Sequence, residues 1–336
     1  MELRTRTLTR LLQIILLGYA SQVVAWDDIY FVDAHSQFDA NVTHDIMLDR
    51  MVNNQVKATI LATRGPSALN ERQKSLFDFT QLAAGSSVEI LPALRSKSSL
   101  YFDGTDSEAD VLAYKDFLEK QLIYPNNNGY SIPYRATGEV LNYHQSKSED
   151  IPLVIKSLFS PYVQETLNIA KNKNWPFIVH LEFGAMTKEE FLHYRDELEK
   201  LLDDNPTHNF ILIHMAQLDL AQTLRMLMRH DNVYFLTSHA DPLAAATIFP
   251  WTNLFEPDGN GGYRLQRPWQ NAFNHHSDRF IFALDNVFVV HWQNQYNEKI
   301  KYWRTALSQL KYQAAHNIAH CNAERLWNIS SEYSCN

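Results

Sequence analysis

The sequence predicts an α/β protein built as a (β/α)8 TIM barrel, a single domain with insertions after strands three and seven. Eight apolar runs, each five to eight residues long, alternate with helical patterns from Tyr30 to the C-terminus. Most of these runs are continuous rather than alternating, as strands buried on both faces are. Several end in an imidazole or carboxylate, which places polar groups at the rim of an apolar core, where a barrel of parallel strands carries its chemistry.

The first element is read as a secretory signal over residues 1–25. Arg4, Arg6 and Arg10 form a positive start, Leu11 to Ala20 an apolar stretch, and Val23-Val24-Ala25 a cleavage site before Trp26. Gln13, Ser21 and Gln22 interrupt a stretch already shorter than the roughly 20 residues a spanning helix needs. The mature chain, 26–336, is therefore expected to be secreted or periplasmic and to keep no membrane anchor.

The strands are expected at Tyr30–Gln37, Lys57–Thr63, Val88–Ala93, Arg135–Leu141, Phe177–Leu181, Asn209–His214, Val233–Thr237 and Arg279–Leu284. Between most of them lie amphipathic helices. The clearest runs from Lys188 to Leu202, with Phe191, Tyr194, Leu198 and Leu201 on one face. Thr187 and Glu190 form a capping box at its start, and Asn205-Pro206 stops it. The insertion after strand three, Tyr101 to Tyr134, carries a helix near Ser107–Leu122. The insertion after strand seven, Ala240 to Asp278, is rich in Pro and Gly. Both follow strands, so both can wall a pocket.

The only two cysteines, Cys321 and Cys335, stand near the C-terminus, and in an oxidising compartment a bond between them would pin the tail. No Cys-x-x-Cys pair offers a thiolate zinc site. The formal charge of −8 and the lack of a basic run beyond the N-terminus argue against nucleic-acid binding.

The chemistry-bearing residues sit at strand ends. Period two along strand one puts Asp33, His35 and Gln37 on one face, and His180, His214 and Asp285 end strands five, six and eight. Nitrogen and anionic oxygen donors of this kind suit zinc or another divalent transition metal. Arg64 after strand two, and Arg95 and Lys97 after strand three, could grip an anionic substrate. Glu139 at the end of strand four and Glu182 beyond His180 could bind a substrate hydroxyl or support a histidine. His144, His239, Trp251 and Tyr263 are further pocket candidates.

With Asp33-x-His35, His180, His214, Asp285 and the closing run His320-Cys321-Asn322-Ala323-Glu324-Arg325-Leu326-Trp327 in place, the chain resembles the amidohydrolase superfamily. The likeness is to its amidohydrolase-related branch, with aminocarboxymuconate-semialdehyde decarboxylase and several lactonases, and it covers roughly Tyr30 to Ile329. It departs at Gln37, where the branch has a second strand-one histidine. The resemblance implies one divalent metal ion, zinc first, on His35, His180 and Asp285, with Asp285 as base and His214 orienting water or stabilising an oxyanion. Gln37, Arg64, Arg95, Glu139 and Glu182 are then the substrate-binding candidates.

The activity expected is hydrolysis of a lactone, ester or amide in a small molecule, with the arginines suited to an anionic group on it; Gln37 leaves metal-free hydrolysis open. A decarboxylase of the same branch is the nearest alternative. A glycosidase pairing Glu139 with Glu182 or Asp285 ranks lower, and a non-catalytic small-ligand-binding barrel is the reading from another class. No nucleic-acid partner is expected, and a homodimer is left open.

Overall fold

Strand one, Phe31–Phe38, is buried along its whole length, as a strand between two covered faces is, with Asp33, His35, Ser36 and Gln37 buried beside its apolar residues. In the computed structural model, which describes residues 29–64, 69–146, 153–330 and 335, it pairs in parallel with strand two, Val56–Thr63. Strand three, Glu89–Leu94, and a short piece of strand four, Ala136–Thr137, complete the first curved sheet. The second sheet runs, in spatial order, through strand eight (Phe280–Ile281), seven (Val233–Leu236), six (Phe210–Leu212), five (Phe177–Leu181) and the rest of strand four (Val140–His144). Residues 1–25, where the signal is expected, lie outside the described residues.

Two seams join the sheets into a barrel. Strand four belongs to both, because it breaks at Gly138-Glu139 rather than running unbroken over the predicted Arg135–Leu141. A Cβ at Gly138 would stand 3.0 Å from the Leu94 carbonyl oxygen and 3.2 Å from Ala62 Cβ, so any larger residue would push the chains apart by a few tenths of an ångström. At the other seam, strand eight is much shorter than predicted. Beyond Ile281 the chain stays beside strand one through separate bonds, Ala34 N to Phe282 O at 3.1 Å and Asp285 N to His35 O at 2.8 Å.

Alternation along the strands sorts two apolar layers. Val32, Ile60, Leu91, Ile178, Ile211 and Ile281 fill the barrel, while Phe31, Phe177, Phe210 and Phe235 pack outward under the helices. The helix Lys188–Asp203 carries the predicted capping box and buries Tyr194, Leu198 and Leu201. The strand-three insertion forms the helix Glu108–Asn127, five residues longer than predicted at its C-terminal end. The strand-seven insertion holds a short helix, Pro242–Ala245, and a hairpin of Phe255–Pro257 with Tyr263–Leu265. A small antiparallel pairing of Val154–Ile155 with strand four was not foreseen.

The N-terminal mouth is stopped by the C-terminal segment. The helix Asn322–Trp327 lies beneath the barrel, Tyr30 Oη donates to Glu324 Oε1 at 2.6 Å, and Cys321 is bonded to Cys335. No helix among the described residues is long and apolar enough to cross a membrane.

Candidate active site

The strand ends open into a cavity of about 980 Å³ at the opposite mouth, floored by His180, His214, His239, Glu139 and Asp285. Each side chain gets there by a local backbone device. His180 simply continues the inward parity of Ile178 on strand five. On strand one the pairing with strand two shifts register between Asp33 and Ser36, and beyond the shift His35 and Gln37 turn toward the site. Asp33 does not join them. Its oxygens accept from Ser36 Oγ at 2.6 Å and Leu284 N at 2.9 Å, tying strand one to strand eight, and burial pushes its carboxyl up to about 6.

Two, three and four residues beyond the ends of strands six, seven and eight stands a left-handed, non-glycine residue: His214 (φ 56°), His239 (φ 52°) and Asp285 (φ 47°). Strand six therefore stops at Leu212 instead of the predicted His214. Such backbone costs on the order of 1 kcal/mol or more per residue, so the surroundings must hold it. The Asp285 amide is fixed by the His35 carbonyl, and the His214 amide and Nδ1 both meet Ser238 Oγ, at 3.3 and 2.9 Å.

The side chains then close a ring around one point. His35 Nε2 lies 3.3 Å from Asp285 Oδ1 and 4.0 Å from Glu139 Oε2. Asp285 Oδ2 lies 3.5 Å from His214 Nε2 and 3.1 Å from His239 Nε2. The His214 ring meets His180 at 5.0 Å between centroids, and His180 Nδ1 returns to Glu139 Oε2 at 2.7 Å. Burial works against the charge of Asp285, but the imidazoles of His239 and His35 that face it hold its carboxyl well below the usual range. Burial likewise opposes the charge of Glu139, and the Lys97 ammonium and the His180 hydrogen bond outweigh it.

A divalent cation fits this cluster. His35 Nε2 and Asp285 Oδ1 are buried and face each other without the alignment of a hydrogen bond, and neither atom has another hydrogen-bond partner among the described residues. Two donor sets, Glu139–His180–His214 and His214–His239–Asp285, each bring their ligand atoms within 4.8 Å of one another. The predicted trio of His35, His180 and Asp285 does not form such a set. His180 is instead held between two carboxylates, with Glu182 Oε1 3.2 Å from its Nε2. A further His/Cys/Glu group at His320, Cys321, Glu324 and Cys335 lies at the far mouth, with its two sulfurs bonded to each other.

The predicted substrate-binding residues divide. Gln37 lines the cavity and donates its amide to Glu139 Oε1 at 3.0 Å. Arg64 lines it too, but pairs with Asp39 at 3.2 Å and stacks on Phe288. The Arg95 guanidinium is turned onto the carbonyls of Thr63 and Lys97, so it braces the wall. Glu139 is tied to Lys97 and His180 and belongs to the cluster rather than to a substrate hydroxyl. Glu182 is fully buried, accepts from Gln145 N at 2.7 Å and supports His180 from behind. It does not line the cavity, so a glycosidase pair of Glu139 and Glu182 is not assembled. His144 and Trp251 line the cavity, whereas Tyr263 sits on the exposed hairpin.

His239 was among the loop candidates, yet it contacts Asp285 directly and its ring stacks on His214 at 4.6 Å. Its place two residues beyond the expected end of strand seven was the only available signal. Ser238, which orients His214, was missed, since nothing marks a serine in a loop as a partner for one particular imidazole.

Comparison with known proteins adds the lineage. Residues 144–329 match the amidohydrolase family. No curated protein matches the chain. Among solved structures, the chain is similar to an uncharacterised TIM-barrel protein of Bordetella bronchiseptica (13% identity, TM-score 0.53, 85% of this chain and 83% of that one). It is also similar to a dihydroorotase from Campylobacter jejuni (11%, TM-score 0.53, 93% and 88%). A variant of organophosphorus hydrolase from Deinococcus radiodurans gives 10% identity and a TM-score of 0.51 over 90% and 95% of the two chains. At these identities the structural likeness speaks for the barrel alone.

Proposed function

Because this chain belongs to the amidohydrolase family, and is a metal-dependent hydrolase by that membership, we propose that it cleaves a lactone, ester or amide bond of a small molecule. The observation that carries this reading is Asp285. It is a buried, ionised carboxylate at the floor of the cavity, with one oxygen facing two imidazoles and the other facing His35 without a hydrogen bond.

A divalent cation, zinc first, suits nitrogen and carboxylate donors, and when bound supplies carbonyl polarisation and a water of lowered pKa. The chain's own groups do the rest. Asp285 takes the proton of the attacking water on Oδ1 and returns it to the leaving group, with His35 Nε2 3.3 Å away to hold it in transit. His214, oriented through Nδ1 by Ser238, keeps Nε2 toward the reacting centre and beside Asp285 Oδ2. Glu139 and Glu182 clamp His180 from both sides and fix that wall of the site. Phe102, Phe249, Trp251 and Phe288 cover the cavity and limit water, while Arg64 on its wall favours a substrate bearing an anionic group.

Export is part of the same proposal. The bond between Cys321 and Cys335 supports an oxidising compartment, secreted or periplasmic. The test is a panel of lactones, esters and amides assayed with the full chain before and after chelation. Turnover lost with chelator and restored by zinc or manganese supports the reading, and a metal-loaded protein without activity on any carbonyl class refutes it.

A further inference from the structure

We propose that the tightly held cation sits on His214, His239 and Asp285, the ends of strands six, seven and eight, rather than on the histidines of strands one and five. This rests on the reading of the chain as a metal-dependent hydrolase and assigns the ligands within it.

Four observations point to this trio. The first is spacing. A tetrahedral ion with bonds of about 2.1 Å separates its ligand atoms by about 3.4 Å. Asp285 Oδ2 lies 3.1 Å from His239 Nε2 and 3.5 Å from His214 Nε2, and all three ligand atoms fall within 4.8 Å of one another. The second is orientation. Ser238 Oγ meets His214 Nδ1 at 2.9 Å, which leaves Nε2 toward the cavity, as a partner behind a ligand histidine does. The two imidazoles stack at 4.6 Å, and Trp251 packs against both, at 5.1 and 4.8 Å, shielding them from water.

The third observation is backbone. All three residues are left-handed in the turns just beyond successive strands, with φ of 56°, 52° and 47°, and strain of this kind gathers where a side chain must be aimed. The fourth is what happens across the barrel. The Gln37 amide nitrogen is given to Glu139, and both nitrogens of His180 face carboxylates, at 2.7 and 3.2 Å. Where a second strand-one histidine would have ligated, this chain has an amide committed elsewhere, and strand seven offers an imidazole instead.

The experiment is zinc titration of the chelator-treated full chain by calorimetry, with cobalt absorption as a second readout. Wild type should bind one ion tightly. His239→Asn should weaken it by about 100-fold or more, and His180→Asn by only a few-fold. His239→Cys covers the case in which the asparagine variant fails to fold. If residue 239 is a ligand, its cobalt form shows the near-ultraviolet charge-transfer band of a thiolate–metal bond. A folded, cobalt-loaded cysteine variant without that band overturns the assignment. So does full affinity in His239→Asn with loss in His180→Asn, though that result leaves metal-dependent hydrolysis standing. A wild type that takes up neither zinc nor cobalt overturns both.

Discussion

Asp285 is the side chain on which the rest of the site converges, and its two oxygens have different neighbours. Asp285→Asn keeps the shape but removes both the proton acceptor and the charge that draws in the histidines. Turnover should fall about 10³-fold or more with the fold intact, read from kcat alongside circular dichroism. Lys97 acts one step further back. It is paired with Glu139, which is buried, and Lys97→Met would leave that carboxylate without its main cation. The expected loss is about 2–3 kcal/mol in urea unfolding, below the range for a fully buried pair because Lys97 is 19% exposed. A third residue acts through pH alone. Burial, with the charge of Lys171 nearby, lowers the His208 pKa to about 4, and its ring packs edge-on against Phe210. Below its usual value near 6.5 the unfolded chain binds a proton that the folded chain refuses, so stability falls as pH drops toward 4. His208→Gln should remove about 1–2 kcal/mol of that acid sensitivity, measured as the difference from wild type at pH 7 and pH 4.5.

At the level of elements, the broken fourth strand has the most consequence. Glu139 reaches the cluster because the chain turns at Gly138, where the amide donates to the Leu94 carbonyl at 2.7 Å. Gly138→Ala would force a methyl against that oxygen and Ala62, costing about 1–3 kcal/mol and shifting Glu139, which thermal melting and metal affinity would both report. The strands themselves were legible because buried parallel strands are continuous apolar runs, and strand five matches its expected bounds, Phe177–Leu181. The helix at Lys188–Asp203 was legible because its cap is a local hydrogen-bond pattern written in four consecutive residues. Strand eight was not. Its apolar run is long enough, but pairing past Ile281 depends on where strand one and Ile318 stand, which is a tertiary matter.

For the whole molecule, closure comes from the seam between strands one and eight and from the C-terminal segment beneath the barrel. The Cys321–Cys335 bond fastens that segment across a separation of 14 residues. A loop of this size stabilises by about 3 kcal/mol, so reduction should lower the melting temperature by roughly 5 °C, while metal affinity at the Asp285 cluster stays unchanged. By itself the sequence determined the barrel, most strand ends and the residue types that meet at the rim, because periodicity, caps and apolar runs are local properties of a chain. The tertiary structure decided what each polar atom faces: His180 between two glutamates, Gln37 on Glu139, Arg95 on backbone carbonyls, and His239 on Asp285. The facing of Gln37 is set by a register shift and that of His239 by a left-handed residue, and neither leaves a mark in residue order, since the same side chains would read identically had they turned the other way.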